Sequence, residues 1–72
     1  MTFSDRVKKL RKEKKLTQLE LSQAVDVGIR TIRRIEADKD TSEPTLSTLN
    51  KLADYFDVSI DYLTGRSDIR EH

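Results

Sequence analysis

Thr17-Gln18-Leu19-Glu20 opens a helix, and Asp26-Val27-Gly28 stops it about two turns later. The Thr17 hydroxyl can accept from the backbone of Glu20, and the Glu20 carboxylate can accept from the Thr17 N–H, which is the reciprocal pattern of a capping box. Leu16 and Leu21 are spaced to staple across that start, so a helix is expected over 18–25. Aspartate tolerates left-handed backbone and Gly28 can cap the next helix, so the interruption reads as a tight turn between two helices, not a kink. A further helix is expected from about Ile29 to Ala37.

The rest of the chain carries three more helical patterns. The first runs from about Ser4 to Lys14, with Thr2 or Ser4 as its cap and Phe3, Val7, Leu10, Arg11 and Lys14 on one stripe. After a loop from Asp38 to Pro44, Thr45 is placed to cap a fourth helix through Leu46, Leu49, Leu52, Ala53 and Phe56. Ser59 starts a short fifth, with Ile60 and Leu63 inward and Gly65 as its stop. No stretch alternates apolar and polar residues over strand length, so the fold is expected to be all-α. Of 72 residues, 35% are apolar, about 25 side chains, which suits one small core. We assign residues 1–66 to a single domain and 67–72 to a short tail.

Several function classes are disfavoured. There is no cysteine, and the single histidine, His72, is the last residue. Thiol chemistry, a zinc site and a Ser-His-Asp triad lack their side chains, and no cofactor is expected. Charges interrupt the N-terminus where a signal peptide needs an apolar run, and no window approaches the roughly 20 apolar residues of a membrane span. A soluble cytoplasmic protein, bacterial or phage-encoded and associated with the nucleoid, is the expectation. No carboxylate pair sits beside a histidine, a cysteine or a glycine-rich loop, so an enzyme is not expected.

The net charge of +1 hides an uneven distribution. Residues 1–36 hold ten Lys and Arg against five Asp and Glu, whereas residues 37–72 hold four against eight. One half suits a polyanion and the other does not. The third helix sharpens this. With Ile32 and Ile35 marking its inward side, Arg30 and Arg34 point outward, at about 160° and 200° from Ile32, with Thr31 and Arg33 flanking them. No acidic residue lies on the outward arc from Ile29 to Arg34. A guanidinium fork matches the O6 and N7 atoms of guanine, or a phosphate, so this surface suits the major groove of double-stranded DNA.

Glu36 falls on the inward side of the same helix, at about 40° from Ile32, where an unpaired carboxylate is costly. Arg11 has the matching problem on the first helix. An Arg11–Glu36 ion pair tying the two helices together is the economical expectation, with separate snorkelling of both side chains as the alternative.

The stretch Leu16-Thr17-Gln18-Leu19-Glu20-Leu21-Ser22, with Asp26-Val27-Gly28, Thr31-Ile32 and Arg34-Ile35-Glu36, resembles the helix-turn-helix signature of the Cro/C1-type (XRE) family of phage and bacterial repressors. Val58-Ser59-Ile60-Asp61-Tyr62-Leu63 is similar to the family's terminal helix. The resemblance covers roughly residues 4–65. It implies a compact five-helix, lambda-repressor-like domain in which residues 18–25 brace the DNA backbone and residues 29–37 form the recognition helix. By position it implies base reading by Ile29, Arg30 and Arg34, a phosphate grip by Gln18, and backbone or flanking contacts from Thr17, Thr31, Arg33 and Lys39. Arg11 and Glu36 match a buried ion pair of several members. Three departures stand out: Asp26 replaces a common turn glycine, Ser22 a common alanine, and Ile29 a common polar reader. Ile29 can meet a thymine methyl or complete the core.

The function implied is a sequence-specific transcriptional regulator, most simply a repressor binding a pseudo-palindromic operator as a homodimer. The surface that would join the two copies stays open: Tyr55, Val58, Tyr62 and Ile69 lie in the acidic half, ordinary core packing is the alternative for each and the preferred reading for Val58, and Tyr62 and Ile69 stay open. An antitoxin or a protein-interaction adaptor using the same fold, with a protein partner, is the alternative.

Overall fold

Each helix begins where a hydroxyl side chain can accept from the backbone, α3 excepted, and the caps set the element bounds. The computed structural model describes residues 2–37 and 44–70, and these hold five helices and no strand. They are α1 (Phe3–Glu13), α2 (Gln18–Val25), α3 (Ile29–Ala37), α4 (Leu46–Phe56) and α5 (Ile60–Leu63). All of the loop expected between α3 and α4 except Pro44 lies outside the described residues, as do Lys39 and His72.

Thr2, not Ser4, caps α1. Its hydroxyl accepts from the Asp5 N–H at 3.1 Å while the Asp5 carboxylate accepts from the Thr2 N–H at 3.3 Å. The bond from the Thr2 N–H, the largest cause, holds the Asp5 carboxyl below its ordinary value of 3.8. The Thr17–Glu20 box of α2 closes the same way, at 3.1 and 2.9 Å. Asp26 then takes the left-handed conformation, φ 55°, and its N–H returns to the Ser22 carbonyl. The left-handed residue of the turn is therefore Asp26, while the Gly28 carbonyl accepts from the Thr31 and Ile32 N–H groups that begin α3. Thr45 caps α4 and Ser59 caps α5, each hydroxyl accepting from the N–H three residues on. Gly65, φ 83°, comes just after the last turn.

Helix α3 packs on α1 and α2, α4 on α2 and α5, and α1 closes the ring against α5. Val7, Leu21, Ile32, Leu52, Val58 and Leu63, drawn from all five helices and the α4–α5 turn, are wholly enclosed. Burying each of these contributes about 1.5–3 kcal/mol before chain entropy is counted. Val58 and Tyr62 belong to this core, Tyr55 is half-buried, and Ile69 is left 68% exposed. Two positions depart from the apolar stripes read in the sequence. Lys14 is exposed because α1 ends at Glu13, and Leu46 stands 66% exposed in the first turn of α4.

Arg6 is almost fully buried, which its charge alone would not suggest. Its guanidinium carbon lies 3.9 Å from the Tyr62 ring centre and Nη2 donates to Asp68 at 2.8 Å. Residues 67–70 of the stretch read as a tail return over α1 and α5. The Ser59 N–H donates to the Arg70 carbonyl at 2.8 Å, and Arg70 Nη2 donates to Glu13 at 2.8 Å.

Candidate nucleic-acid interface

Helix α3 starts directly after the Asp26–Gly28 turn, so its angle to α2 is set by a connection with little freedom. Its inward side is made by Ile32, fully enclosed, and Glu36, 3% exposed, with Ile35 half-buried beside them. Arg30, Arg33 and Arg34 are all exposed on the other side, and Thr31 is half-buried. Ile29 is half-buried as well: it packs in part and presents the rest of its side chain at the start of the helix.

The inward glutamate is held by three side chains. Arg11 Nε donates to Glu36 Oε2 at 2.8 Å and Arg11 Nη2 to Oε1 at 3.0 Å, a two-pronged contact that fits the planar guanidinium. Arg11 Nη1 spends a further bond on the Leu16 carbonyl at 2.7 Å, which fixes the chain just before the α2 cap. Gln18 Nε2 donates to Glu36 Oε1 at 3.3 Å, and the Ser4 hydroxyl donates to the Glu36 backbone carbonyl at 2.9 Å. One glutamate thus ties α3 to α1 and to the first residue of α2. The snorkelling alternative does not describe this pair, since Arg11 is 14% and Glu36 3% exposed in their side chains.

The structure therefore brings Arg11, Glu36 and Gln18 together, with Thr17 beside them as the α2 cap, and sets Arg30, Arg33 and Arg34 together on the open side of α3. Three contacts escaped the sequence reading. Ser4 was weighed only as a cap, yet it lies seven residues before Arg11 and hence on the same face of α1, a spacing that could have exposed its reach to α3. The Gln18–Glu36 bond joins residues eighteen apart and has no local signal. Lys51 of α4 donates to the Asp26 carbonyl at 3.2 Å, bracing the turn from outside.

Two adjoining helices, the first capped and packed, the second anchored on one side and carrying exposed arginines on the other, define a helix-turn-helix domain. A helix-turn-helix family matches residues 7–63, and the chain belongs to it, within the Cro/C1-type (XRE) group. Among curated relatives, the immunity repressor protein of Bacillus phage phi105 is 32% identical over 69 residues, covering 96% of this chain and 46% of the repressor. The HTH-type transcriptional regulator ImmR of Bacillus subtilis is 30% identical over 69 residues, covering 96% and 53%. The cryptic phage CTXphi transcriptional repressor RstR of Vibrio cholerae is 36% identical over 66 residues, covering 92% and 58%. The chain spans about half the length of these relatives. No solved structure gives a significant match.

Proposed function

We propose that this chain is a sequence-specific DNA-binding regulator of transcription and not an enzyme, acting most simply as a repressor in the cytosol of a bacterium. The observation that carries the reading is the exposed Arg30, Arg33 and Arg34 face of α3, inside the segment shared with the helix-turn-helix family. Helix α3 enters the major groove; Arg30 and Arg34 address base edges, and Ile29 meets a thymine methyl with the part of its side chain left uncovered. Thr17, Gln18, Thr31, Arg33 and Lys39 contact the backbone around it, which sets register without reading sequence. Among the described residues, no helix is long and apolar enough to cross a membrane.

The reading includes a homodimer on a pseudo-palindrome. The described part of the chain measures 27 × 26 × 20 Å, less than the roughly 34 Å between successive major grooves on one face of the duplex, so a single copy reads one half-site. Occupancy of promoter DNA by two copies would block polymerase. Selection from random duplex DNA, followed by anisotropy at two salt concentrations, is the test. Enrichment of a two-fold symmetric site, with two protein chains per duplex by light scattering, supports the reading. If nothing is enriched and the residual affinity disappears with salt, the charge is generic, and the protein-partner alternative takes over.

A further inference from the structure

We infer that Glu36 is a positioning residue for the DNA contact of Gln18, beyond its part in holding the helices together. An ionised carboxylate only accepts hydrogen bonds, so the end of the Gln18 amide that faces Glu36 has to be the NH2 group. One N–H goes to Oε1, and the second N–H of the same group keeps a fixed direction away from it, available to a phosphate oxygen. Without that constraint an exposed glutamine amide turns freely and presents its carbonyl oxygen, which repels a phosphate, as readily as its donors.

Glu36 is suited to act as the fixed point. Its two oxygens are already held by the Arg11 fork, and its backbone carbonyl by Ser4, so Gln18 adapts to Glu36 and not the reverse. Arg11 also balances the carboxylate's charge, so Glu36 itself does not repel a phosphate approaching Gln18. Ile29, where α3 begins, has no polar side-chain atom with which to orient the amide. The same carboxylate that joins α1 to α3 thereby aims the first residue of α2, linking the recognition helix to the backbone contact of the bracing helix. The inference rests on the DNA-binding reading and specifies how one of its contacts is made.

The test combines spectroscopy with a double-mutant cycle. In the wild-type protein alone, one side-chain amide proton of Gln18 should be displaced downfield from the position of a free glutamine and exchange slowly. On adding a mixed-sequence duplex of about two helical turns, that proton should hold its position while its geminal neighbour shifts. Amide protons at the positions and exchange rates of a free glutamine, or loss of the downfield proton in the complex, would overturn the inference without any mutation. In anisotropy with the same duplex, Gln18→Ala should weaken binding about tenfold in the wild-type background but less than about twofold in Glu36→Gln, at a temperature where both backgrounds are folded. Equal losses in the two backgrounds would reduce Glu36 to a purely structural part. Arg30→Ala and Arg34→Ala separate the two levels of argument. If they lose affinity while the Gln18 and Glu36 effects simply add, only the positioning role falls; if they too leave binding unchanged, the DNA-binding reading falls and this inference with it.

Discussion

Helix α1 makes ion pairs on two sides, alike in spacing and distance and unlike in exposure. Toward α3, Ser4 and Arg11 reach Glu36; toward the chain end, Arg6 and Glu13 reach Asp68 and Arg70. Both sets are spaced seven residues apart on α1, and the closest contact in every ion pair is 2.8 Å. Yet Glu36 is 3% exposed in its side chain, whereas Asp68 is 99% exposed and Glu13 and Arg70 are nearly half-exposed. Distance therefore does not rank these contacts. What ranks them is what the surviving arginine keeps: Arg11 without Glu36 loses both bonds of its fork in a largely buried place, while Arg6 without Asp68, though no less enclosed, keeps its stacking on the Tyr62 ring.

The largest effect should come from Glu36→Ala, which strands Arg11 and leaves the Gln18 amide without its acceptor. A loss of about 3–5 kcal/mol of stability is expected, read by thermal or urea unfolding. Coincident melts of this variant and the wild type would erase the contrast between the two sides of α1. On the open face of α3 the opposite pattern is expected. Arg30→Ala or Arg34→Ala should each cost about 1–3 kcal/mol of specific DNA binding and relax preference at one base position, with melting unchanged within about 0.5 kcal/mol. A shift in melting as large as that of Glu36→Ala would make these arginines part of the fold.

The contrast sharpens within the outer set. Arg6 lies against Tyr62 and is buried, though its Nε finds no acceptor among the described residues. Arg6→Ala should cost about 1–2 kcal/mol through lost stacking and packing, and Asp68→Ala no more than about 1 kcal/mol. Equal costs for the two would mean that the ion pair, and not the ring contact, holds Arg6. Smallest of all is the acid dependence of Glu13. The hydrogen bond from Arg70 lowers its carboxyl below the ordinary 4.5, opposed in part by burial, so its contribution is present above 4.5 and disappears as pH falls through the lowered folded value. The melting temperatures of Glu13→Gln and wild type should thus converge as the solution is acidified below that range. Added salt should narrow the same difference at neutral pH, since the pair is solvated.

Legibility in the sequence tracked the range of the interaction. The α2 bounds, the Asp26 turn and the α4 and α5 caps are set by bonds between residues no more than five apart, and local spacing was sufficient to place them. The Arg11–Glu36 contact was readable although it joins residues 25 apart, because each placed a charge on the inward side of its helix and each needed the other. Arg6 was missed because it lies one position from Val7, off the centre of the α1 apolar stripe, and its contacts with Tyr62 and Asp68 join residues more than fifty apart. Tyr62 and Ile69, equivalent as open apolar candidates in the sequence, were separated by packing into a core residue and an exposed one.

The amino-acid sequence by itself determined the five helices, the turn between α2 and α3 and the side of α3 that carries arginine. Capping, left-handed tolerance and the 3.6-residue period act within a few residues and are indifferent to the rest of the molecule. Only the tertiary structure decided that Gln18 faces Glu36, that Ser4 secures the end of α3 and that residues 67–70 lie over Arg6 and Tyr62. Those contacts depend on where independently formed helices come to rest, and that is set by how their side chains fill one shared core.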